Sequence, residues 1–316
     1  MKMRFLPVLW ICAALGCCGF NGPVRTFEAK GVRGVSLEDA AEMYGWDLSV
    51  ASDGKEWSLQ SDGFTVRLRA GSATARVNGI KTALLGPVVR HADGVWLIGP
   101  EDLRHSLRPF LADGAIPPTP VRRIVIDPGH GGLDSGAKRA WMQEKDVNLA
   151  VAERVAAILR RGRFQVVMTR RRDTAMTLDA RADRVRTRNA DLYVSIHQNA
   201  AANEKAFGME IYFSPKNRYA DASLRLAHAV LEHTLSGLGA EPQDAYDRGI
   251  KRANFRVLRR ADCPAVLLEC GFISNAQDRT RMTDETYLDE LANGIAEGIA
   301  AYADEISANE DGEDGR

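Results

Sequence analysis

Four residues whose side chains can bind a metal or move a proton stand at strand ends or at a helix start. They are His130, Glu144, His197 and Glu269. Two imidazoles with one or two carboxylates form the ligand set of a catalytic zinc site that keeps one position open. Each residue has an ordinary alternative, such as a loop hydrogen bond for His130 or a favourable helix-terminal charge for Glu144. The four together predict a metal site more strongly than any one of them does.

His130 follows a short apolar run, residues 124–126, which has the length of a buried parallel strand. The next residues, 127–129, read Asp-Pro-Gly and end the strand. Proline lacks the N–H that a ladder needs, and glycine adopts unusual backbone angles. His130 is therefore predicted on a glycine-rich loop at the carboxyl end of a central strand, where ligands bind in open α/β sheets.

His197 ends a predicted strand over residues 192–197. Period-two alternation places Tyr193, Ser195 and His197 on one face of that strand. A polar residue at the point where the strand leaves the sheet faces the crevice, so His197 is predicted to reach the same region as His130.

Glu269 interrupts an otherwise apolar strand predicted over residues 265–270. A carboxylate in such a strand is costly unless it is paired or bound to a metal. The alternative to a chemical role is a buried ion pair, for example with Arg248 or Arg259.

Predicted strands and helices alternate around these four residues. The strands are 124–126, 164–169, 192–197, 209–213 and 265–270, with a short extended segment at 255–258; the helices are 145–161, 179–189, 220–235 and 284–306. This alternation predicts an α/β catalytic domain over 121–306, with a mixed, mainly parallel sheet flanked by helices. The acidic, glycine-rich residues 307–316 are predicted to be disordered.

Residues 31–112 are predicted to form a separate, small α+β domain that carries no chemistry. A helix capped by Ser36 is followed by short strands between turn residues. The pattern resembles the copper-amine-oxidase N-terminal-like domain, chiefly at residues 76–79 and 99–103. A proline-rich linker over residues 113–120 separates it from the α/β domain.

The amino terminus, residues 1–22, is predicted to be a signal peptide. Lys2 and Arg4 form a positive region, and a short apolar region follows them. Small residues before Cys17 loosely resemble a lipoprotein processing site, so a lipid anchor at Cys17 is the alternative to simple cleavage. Either case predicts an exported protein of the periplasm or cell envelope.

The net charge argues against nucleic acid as a partner, and the spacing of two cysteines argues against a disulfide between them. The 316 residues contain 42 Lys or Arg and 42 Asp or Glu, so the net charge gives no electrostatic case for binding nucleic acid. Cys263 and Cys270 lie seven residues apart along a predicted strand, roughly 23 Å at 3.3 Å per residue. That separation is beyond disulfide reach, so both thiols are predicted to be free and buried.

Five motifs, in order along the second domain, resemble the zinc-dependent N-acetylmuramoyl-L-alanine amidases of the type 3 family. They are IDPGHGG at 126–132, EKDVNL at 144–149, SIHQNA at 195–200, RGIK at 248–251 and LECGFISN at 268–275. The resemblance implies that zinc is bound by His130, Glu144 and His197, with Glu269 as the catalytic carboxylate. It also implies peptidoglycan as substrate, cleaved at the amide between N-acetylmuramic acid and L-alanine.

Arg248, Lys251 and Arg259 are candidate substrate-binding residues, because cations could neutralise peptide carboxylates or a developing oxyanion. A solvated or structural ion-pair role is the alternative for all three. Ten arginines between residues 160 and 188 could likewise steer the protein to an anionic envelope, or could simply line solvated helix faces and loops.

Two rival functions stay open at this stage. One is a zinc peptidase or amidase that uses the same residues on another substrate. The other is a non-catalytic cell-wall binding module, which would be expected to lack Glu269 or a ligand, and the sequence keeps all four residues. An activator protein is a further partner left open here, and no feature of the sequence identifies one.

Overall fold

The computed structural model describes residues 26–61, 63–112, 116, 120–239 and 246–313. The chain divides into two compact units between residues 115 and 116, within the stretch predicted as a linker. The predicted signal peptide, including Cys17, lies outside the described residues. Among the helices that are described, none combines the length and the apolar character needed to cross a bilayer.

The first unit contains two antiparallel sheets and short helices. Its elements are β1 (Thr26–Ala29), β2 (Val32–Ser36), α1 (Leu37–Tyr44), β3 (Asp47–Val50), β4 (Glu56–Ser61), β5 (Phe64–Arg69), β6 (Thr74–Val77), β7 (Ile80–Ala83), β8 (Val89–Arg90), β9 (Trp96–Ile98), α2 (Pro100–Asp102), a π-helical turn (Leu103–Leu107) and α3 (Arg108–Leu111). The sheet orders are β1-β2-β9-β8 and β7-β6-β5-β4-β3. The predicted cap of α1 is present, because Ser36 Oγ accepts a hydrogen bond from Asp39 N at 2.8 Å. The resemblance to a copper-amine-oxidase N-terminal-like domain stays a prediction.

The second unit contains a mixed sheet with helices packed against it. Its elements are β10 (Arg123–Pro128), β11 (Lys138–Arg139), β12 (Met142–Gln143), α4 (Glu144–Arg161), β13 (Gln165–Met168), α5 (Leu178–Thr187), β14 (Leu192–Asn199), β15 (Met209–Phe213), α6 (Ala220–Gly237), β16 (Asp247–Arg252), α7 (Arg256–Arg260), β17 (Ala265–Phe272), α8 (Ala276–Arg281) and α9 (Glu285–Glu313). Its strand order is β13-β10-β14-β17-β15-β16. β15 runs antiparallel to β17, and the other pairs in this series are parallel, which confirms the predicted fold class.

The core of this unit follows from strand alternation. Val125, Tyr193 and Leu267 share one buried cluster with Val185 of α5 and Leu258 of α7. Alternation directs the neighbours of these strand residues to the opposite face, and α4, α6 and α9 form a second helical group packed together. The sheet is therefore covered on both faces, so its strand ends are the natural place for a polar site.

Cys263 and Cys270 are free and buried, as the sequence predicts. Cys263 belongs to the core cluster next to α7. Both thiols therefore serve as small apolar side chains in the core.

Several elements differ from the sequence prediction. Residues 255–258 were expected to be extended, but α7 is helical because its Val257 and Leu258 turn inward together into the core cluster. β16 and α8 were not predicted. α9 continues to Glu313, so the stretch 307–313, expected to be disordered, is helical. A short or polar segment carries too little periodicity to separate these alternatives.

Candidate metal centre

The carboxyl ends of β10 and β14 bring His130 and His197 to Glu144, the first residue of α4. His130 Nε2 lies 3.1 Å from Glu144 Oε1, and His197 Nδ1 lies 2.9 Å from the same oxygen. The two imidazole rings are 4.9 Å apart and nearly perpendicular, with an angle of 78°. Glu144 is buried, whereas both histidines are partly open to solvent. The site therefore combines converging donors with access from outside.

The three donor atoms fit a divalent metal. Zinc bonds of about 2.0–2.2 Å in a tetrahedral arrangement place neighbouring ligand atoms roughly 3.3 Å apart. The separations of 2.9 and 3.1 Å from Glu144 Oε1 to the two ring nitrogens are close to that value. Among the described residues, His130, Glu144 and His197 form the group whose donor atoms lie close enough together to hold a metal ion.

Two glycines make room for this convergence. A Cβ on Gly129 would overlap the His197 ring, and a Cβ on Gly136 would overlap the Glu144 carboxylate and the His130 ring. Gly136 also has a positive φ of 61°, which L-residues with a side chain rarely adopt. His130 itself has φ of 59°, so the loop holds a non-glycine residue in the left-handed region beside the site. Gly129 and Gly136 are therefore a steric requirement of the site.

Hydrogen bonds around the three residues hold their orientation. Asp134 Oδ2 lies 2.8 Å from His130 Nδ1, which leaves Nε2 directed at Glu144. Glu144 Oε2 accepts from the Ala137 amide at 2.8 Å, and Oε1 accepts from Asn148 Nδ2 at 3.3 Å. Such a carboxylate–histidine contact is typical of metal sites, where it sets the imidazole tautomer.

The charges of the site stabilise one another. Burial opposes ionisation of Glu144, but hydrogen bonds from His130 and His197 outweigh it and hold the pKa of Glu144 well below its usual range. Burial likewise opposes a charged His130, yet the contacts with Glu144 and Asp134 raise the pKa of His130 to about 9. The site therefore favours an ionised carboxylate and attracts positive charge.

A buried network beneath the site was not predicted from the sequence. Asp127 is buried and accepts hydrogen bonds from Arg181 Nη1 at 2.6 Å, Tyr193 at 2.5 Å and Ser195 at 2.9 Å. Arg181 also donates to the carbonyl oxygens of Pro128 and His130, at 2.8 and 2.5 Å. Arg181 thereby ties the end of β10 to the loop that carries His130.

Arg170 supports the same loop from another direction. It is buried and donates to the carbonyl oxygens of Pro128, Gly129 and Lys145, at 3.0, 2.9 and 2.7 Å. The solvated role considered for this arginine-rich stretch is therefore wrong for Arg170 and Arg181. The sequence signal that could have identified them is the set of carbonyl groups that the Asp-Pro-Gly-His turn leaves without strand partners.

Glu269 lies beside the three candidate ligands. It is paired in register with His197 across β14 and β17 and with Glu210 across β15 and β17. Its Oε2 is buried and has no hydrogen-bond partner among the described residues. Burial, with the nearby charges of Glu144 and Glu210, raises the pKa of Glu269 to about 8. A carboxyl group with that pKa can both accept and release a proton near neutrality.

Neither of the cations considered as partners of Glu269 pairs with it. Arg248 Nε donates to Glu210 at 2.9 Å, and Lys251 also pairs with Glu210. Arg259 is exposed on α7 and lines a surface cavity with Lys216 and other residues, so the structure does not bring it to the metal centre. The alternative of a buried ion pair between Glu269 and Arg248 or Arg259 is therefore wrong.

Comparison with known proteins gives consistent matches over the second unit. A family model described as N-acetylmuramoyl-L-alanine amidase matches residues 124–301, more than half of the chain. The N-acetylmuramoyl-L-alanine amidase LytC of Bacillus subtilis (strain 168) is 37% identical over 179 residues, which are 57% of this chain and 35% of LytC. The chain therefore spans about a third of the length of that relative.

Two solved structures resemble the same region. An N-acetylmuramoyl-L-alanine amidase from Clostridium difficile 630 is 38% identical, with a TM-score of 0.54, and the match covers 59% of this chain and 98% of the other. The catalytic domain of the amidase CwlV from Bacillus (Paenibacillus) polymyxa var. colistinus is 37% identical, with a TM-score of 0.53, covering 58% of this chain and 99% of the other. The second unit thus corresponds to nearly the whole of each.

Proposed function

The chain belongs to the N-acetylmuramoyl-L-alanine amidase family, and on that premise we propose that it is a zinc-dependent hydrolase of the amide between N-acetylmuramic acid and L-alanine in peptidoglycan. The enzyme class predicted from the sequence, a hydrolase of a peptidoglycan amide bond, follows from this membership. The observation that carries the proposal is the convergence of His130, Glu144 and His197 beside Glu269.

His130, Glu144 and His197 would hold the zinc ion through Nε2, Oε1 and Nδ1. When bound, zinc lowers the pKa of water toward 7 and polarises a carbonyl oxygen. With zinc in place, the contact with Asp134 would keep a proton on His130 Nδ1 and leave the lone pair of Nε2 for the ion. Burial of the ionised Glu144 places a negative charge among the donors before any metal arrives.

Glu269 is proposed to move the proton of the reaction. It takes a proton from the attacking water and delivers it to the nitrogen of the leaving L-alanine, without which the amine would be a poor leaving group. Its raised pKa and its Oε2 without a hydrogen-bond partner suit a group that cycles between two protonation states. Arg248 and Lys251 are proposed to contact the substrate at the edge of the same site.

The cell envelope is the proposed location, since peptidoglycan is the proposed substrate. An exported protein would reach it directly, and a lipid anchor at Cys17 stays a prediction. The rival of a non-catalytic wall-binding module is disfavoured because the four residues lie together. A zinc peptidase acting on another substrate is the competing enzyme, and the bond that is cleaved distinguishes the two.

The test is digestion of purified sacculi by the full chain, with and without a zinc chelator. We expect soluble peptides with a free L-alanine amino terminus, no increase in glycan reducing ends, and loss of release when zinc is removed. Release of peptides with other amino termini would favour the zinc peptidase. Chelator-insensitive release would remove zinc from the mechanism.

A further inference from the structure

Glu210 is a buried carboxylate to which the proposed reaction assigns no contact with the substrate. Its side chain accepts hydrogen bonds from Asn199 Nδ2 at 2.7 Å and Tyr212 OH at 2.6 Å on Oε1. Its Oε2 accepts from Arg248 Nε at 2.9 Å and also pairs with Lys251. Four donors from β14, β15 and β16 therefore meet on one carboxylate.

This cluster adjoins the proposed catalytic carboxylate. Glu210 lies opposite Glu269 in the antiparallel pairing of β15 with β17. Arg248 is held between Glu210 and the ring of Phe272, with its guanidinium 4.7 Å from the ring centre. The cluster is thus rigid on the protein side and borders the crevice at Glu269.

Arg248 and Lys251 pair with Glu210 but remain partly exposed to solvent. Their side chains are 32% and 31% exposed, whereas that of Glu210 is 4% exposed. Arg248 donates to Glu210 through Nε and to the Phe207 carbonyl oxygen through Nη1, at 3.5 Å, so its other guanidinium N–H groups remain for a ligand. Lys251 has three donors, of which Glu210 takes one. Two positive charges meet one buried negative charge, which leaves one charge for a ligand. A solvent-facing cation pair of this kind suits a carboxylate.

We propose that Glu210 is a positioning residue that orients Arg248 and Lys251 to bind a free carboxylate of the stem peptide close to the scissile amide. The proposal rests on the proposed function and adds a specificity to it. Without Glu210 the two cations would repel each other and lose their common anchor, so the effect of Glu210 on the substrate passes through them.

The cluster predicts discrimination between two substrates that differ in one group. We would compare synthetic N-acetylmuramoyl peptides that begin with L-alanine and whose next residue carries either a free carboxylate or a carboxamide. The zinc-loaded full chain is expected to prefer the carboxylate form by about tenfold in kcat/KM, mainly through a lower KM. E210Q is expected to abolish most of that preference, chiefly by raising KM for the carboxylate form.

Two further variants separate a loss of specificity from a folding defect. K251M leaves Glu210 bonded to Arg248, Asn199 and Tyr212, so the fold should hold while the preference falls. The matched control is R252A, on the same strand, because Arg252 lies over Phe213 and faces away from Glu210. R252A is expected to keep the full preference.

Equal hydrolysis of the two peptides by the parent would overturn the inference and leave the proposed function standing. A uniform loss of kcat on both peptides in E210Q and K251M, with the preference unchanged, would also overturn it, since that is what a purely structural role predicts. If the zinc-loaded parent released neither peptide, the proposed function would fail, and the inference would fall with it.

Discussion

Glu144 and Glu269 are two carboxylates of one crevice with opposite surroundings. Glu144 Oε1 is contacted by both imidazoles, and its Oε2 accepts from the Ala137 amide. Glu269 has a buried Oε2 without a hydrogen-bond partner among the described residues, and burial together with two other carboxylates raises its pKa. The pKa of Glu144 is held low, whereas that of Glu269 is raised to about 8.

This difference supports the roles proposed for the two carboxylates. A carboxylate that stays ionised at every working pH is a good metal ligand and a poor proton carrier. A carboxyl group whose pKa lies near neutrality is a good proton carrier and a poor metal ligand. Pairs of titratable groups whose surroundings push their pKa values apart are how a site separates binding from proton transfer. Four substitutions test whether the separation holds here.

Replacing the ligand carboxylate should have the largest effect. Glu144→Gln removes the negative charge on which both imidazoles converge, and a carboxamide is a weak zinc ligand. We expect zinc content far below one per chain and a loss of amide hydrolysis of roughly 10⁴-fold or more, since both functions of zinc disappear. Zinc by mass spectrometry and stem-peptide release measure the two. Glu153→Gln, on an exposed position of α4, is the matched control. Retained zinc with full activity would remove Glu144 from the metal site.

Replacing the proton carrier should separate activity from metal binding. Glu269→Gln keeps the side-chain volume and the three proposed ligands, so zinc should stay near one per chain. Removing a positioned general base typically costs 10²–10⁴-fold, roughly 3–5 kcal/mol of barrier. The same two measurements decide the outcome. Activity within a few-fold of the parent would refute the role of Glu269, and loss of zinc would make it a fourth ligand.

Asp127 extends the comparison to a carboxylate without access to solvent. Burial opposes its ionisation, but Arg181 and the hydroxyl donors outweigh it and lower the pKa of Asp127 from the ordinary 3.8. Its stabilisation is therefore present above about pH 4 and is lost as the pH falls through the lowered value. Asp127→Asn, which leaves the buried Arg181 without the negative charge opposite it, should cost about 3–5 kcal/mol at pH 7.

Denaturant unfolding of both proteins from pH 7 to pH 2 measures this effect. The stability of the parent should fall more steeply below pH 4 than that of Asp127→Asn. Parallel curves would show that the Asp127 charge does not contribute. Full stability of the variant at pH 7 would show that Arg181 does not need it.

The smallest effect is expected from the carboxylate that touches the ligand histidine. Asp134→Asn weakens the hydrogen bond that sets the tautomer of His130. Zinc affinity should fall about 10- to 100-fold, as is typical for such outer contacts. Competition with a chelator at constant pH measures it, with Asp146→Asn, at an exposed position early in α4, as control. An unchanged affinity would mean that the loop alone orients His130.

Local patterns in the sequence were enough to predict which elements carry the three proposed ligands. Apolar runs and turn residues predicted strand ends at His130 and His197, and the helix that starts at Glu144 was expected to begin next to it. The mixed, mainly parallel sheet was confirmed as well. β16 was missed because its sequence, Asp-Arg-Gly-Ile-Lys-Arg, has no apolar alternation and becomes a strand by pairing with β15.

The sequence by itself determined the residue types of the site and the elements that carry them, because turn chemistry and periodicity act over a few residues. Only the tertiary structure decided which charges are buried. In the sequence, nothing distinguishes Arg170 and Arg181 from the solvated arginines near them. In the structure, both donate hydrogen bonds to backbone carbonyl oxygens of the distant loop that carries His130. Arg248 and Lys251 pair with Glu210, and Arg259 faces away, because partners thirty or more residues distant meet only when the sheet assembles. The raised pKa of Glu269 also depends on such long-range contacts, because burial and the charges of Glu144 and Glu210 cause it.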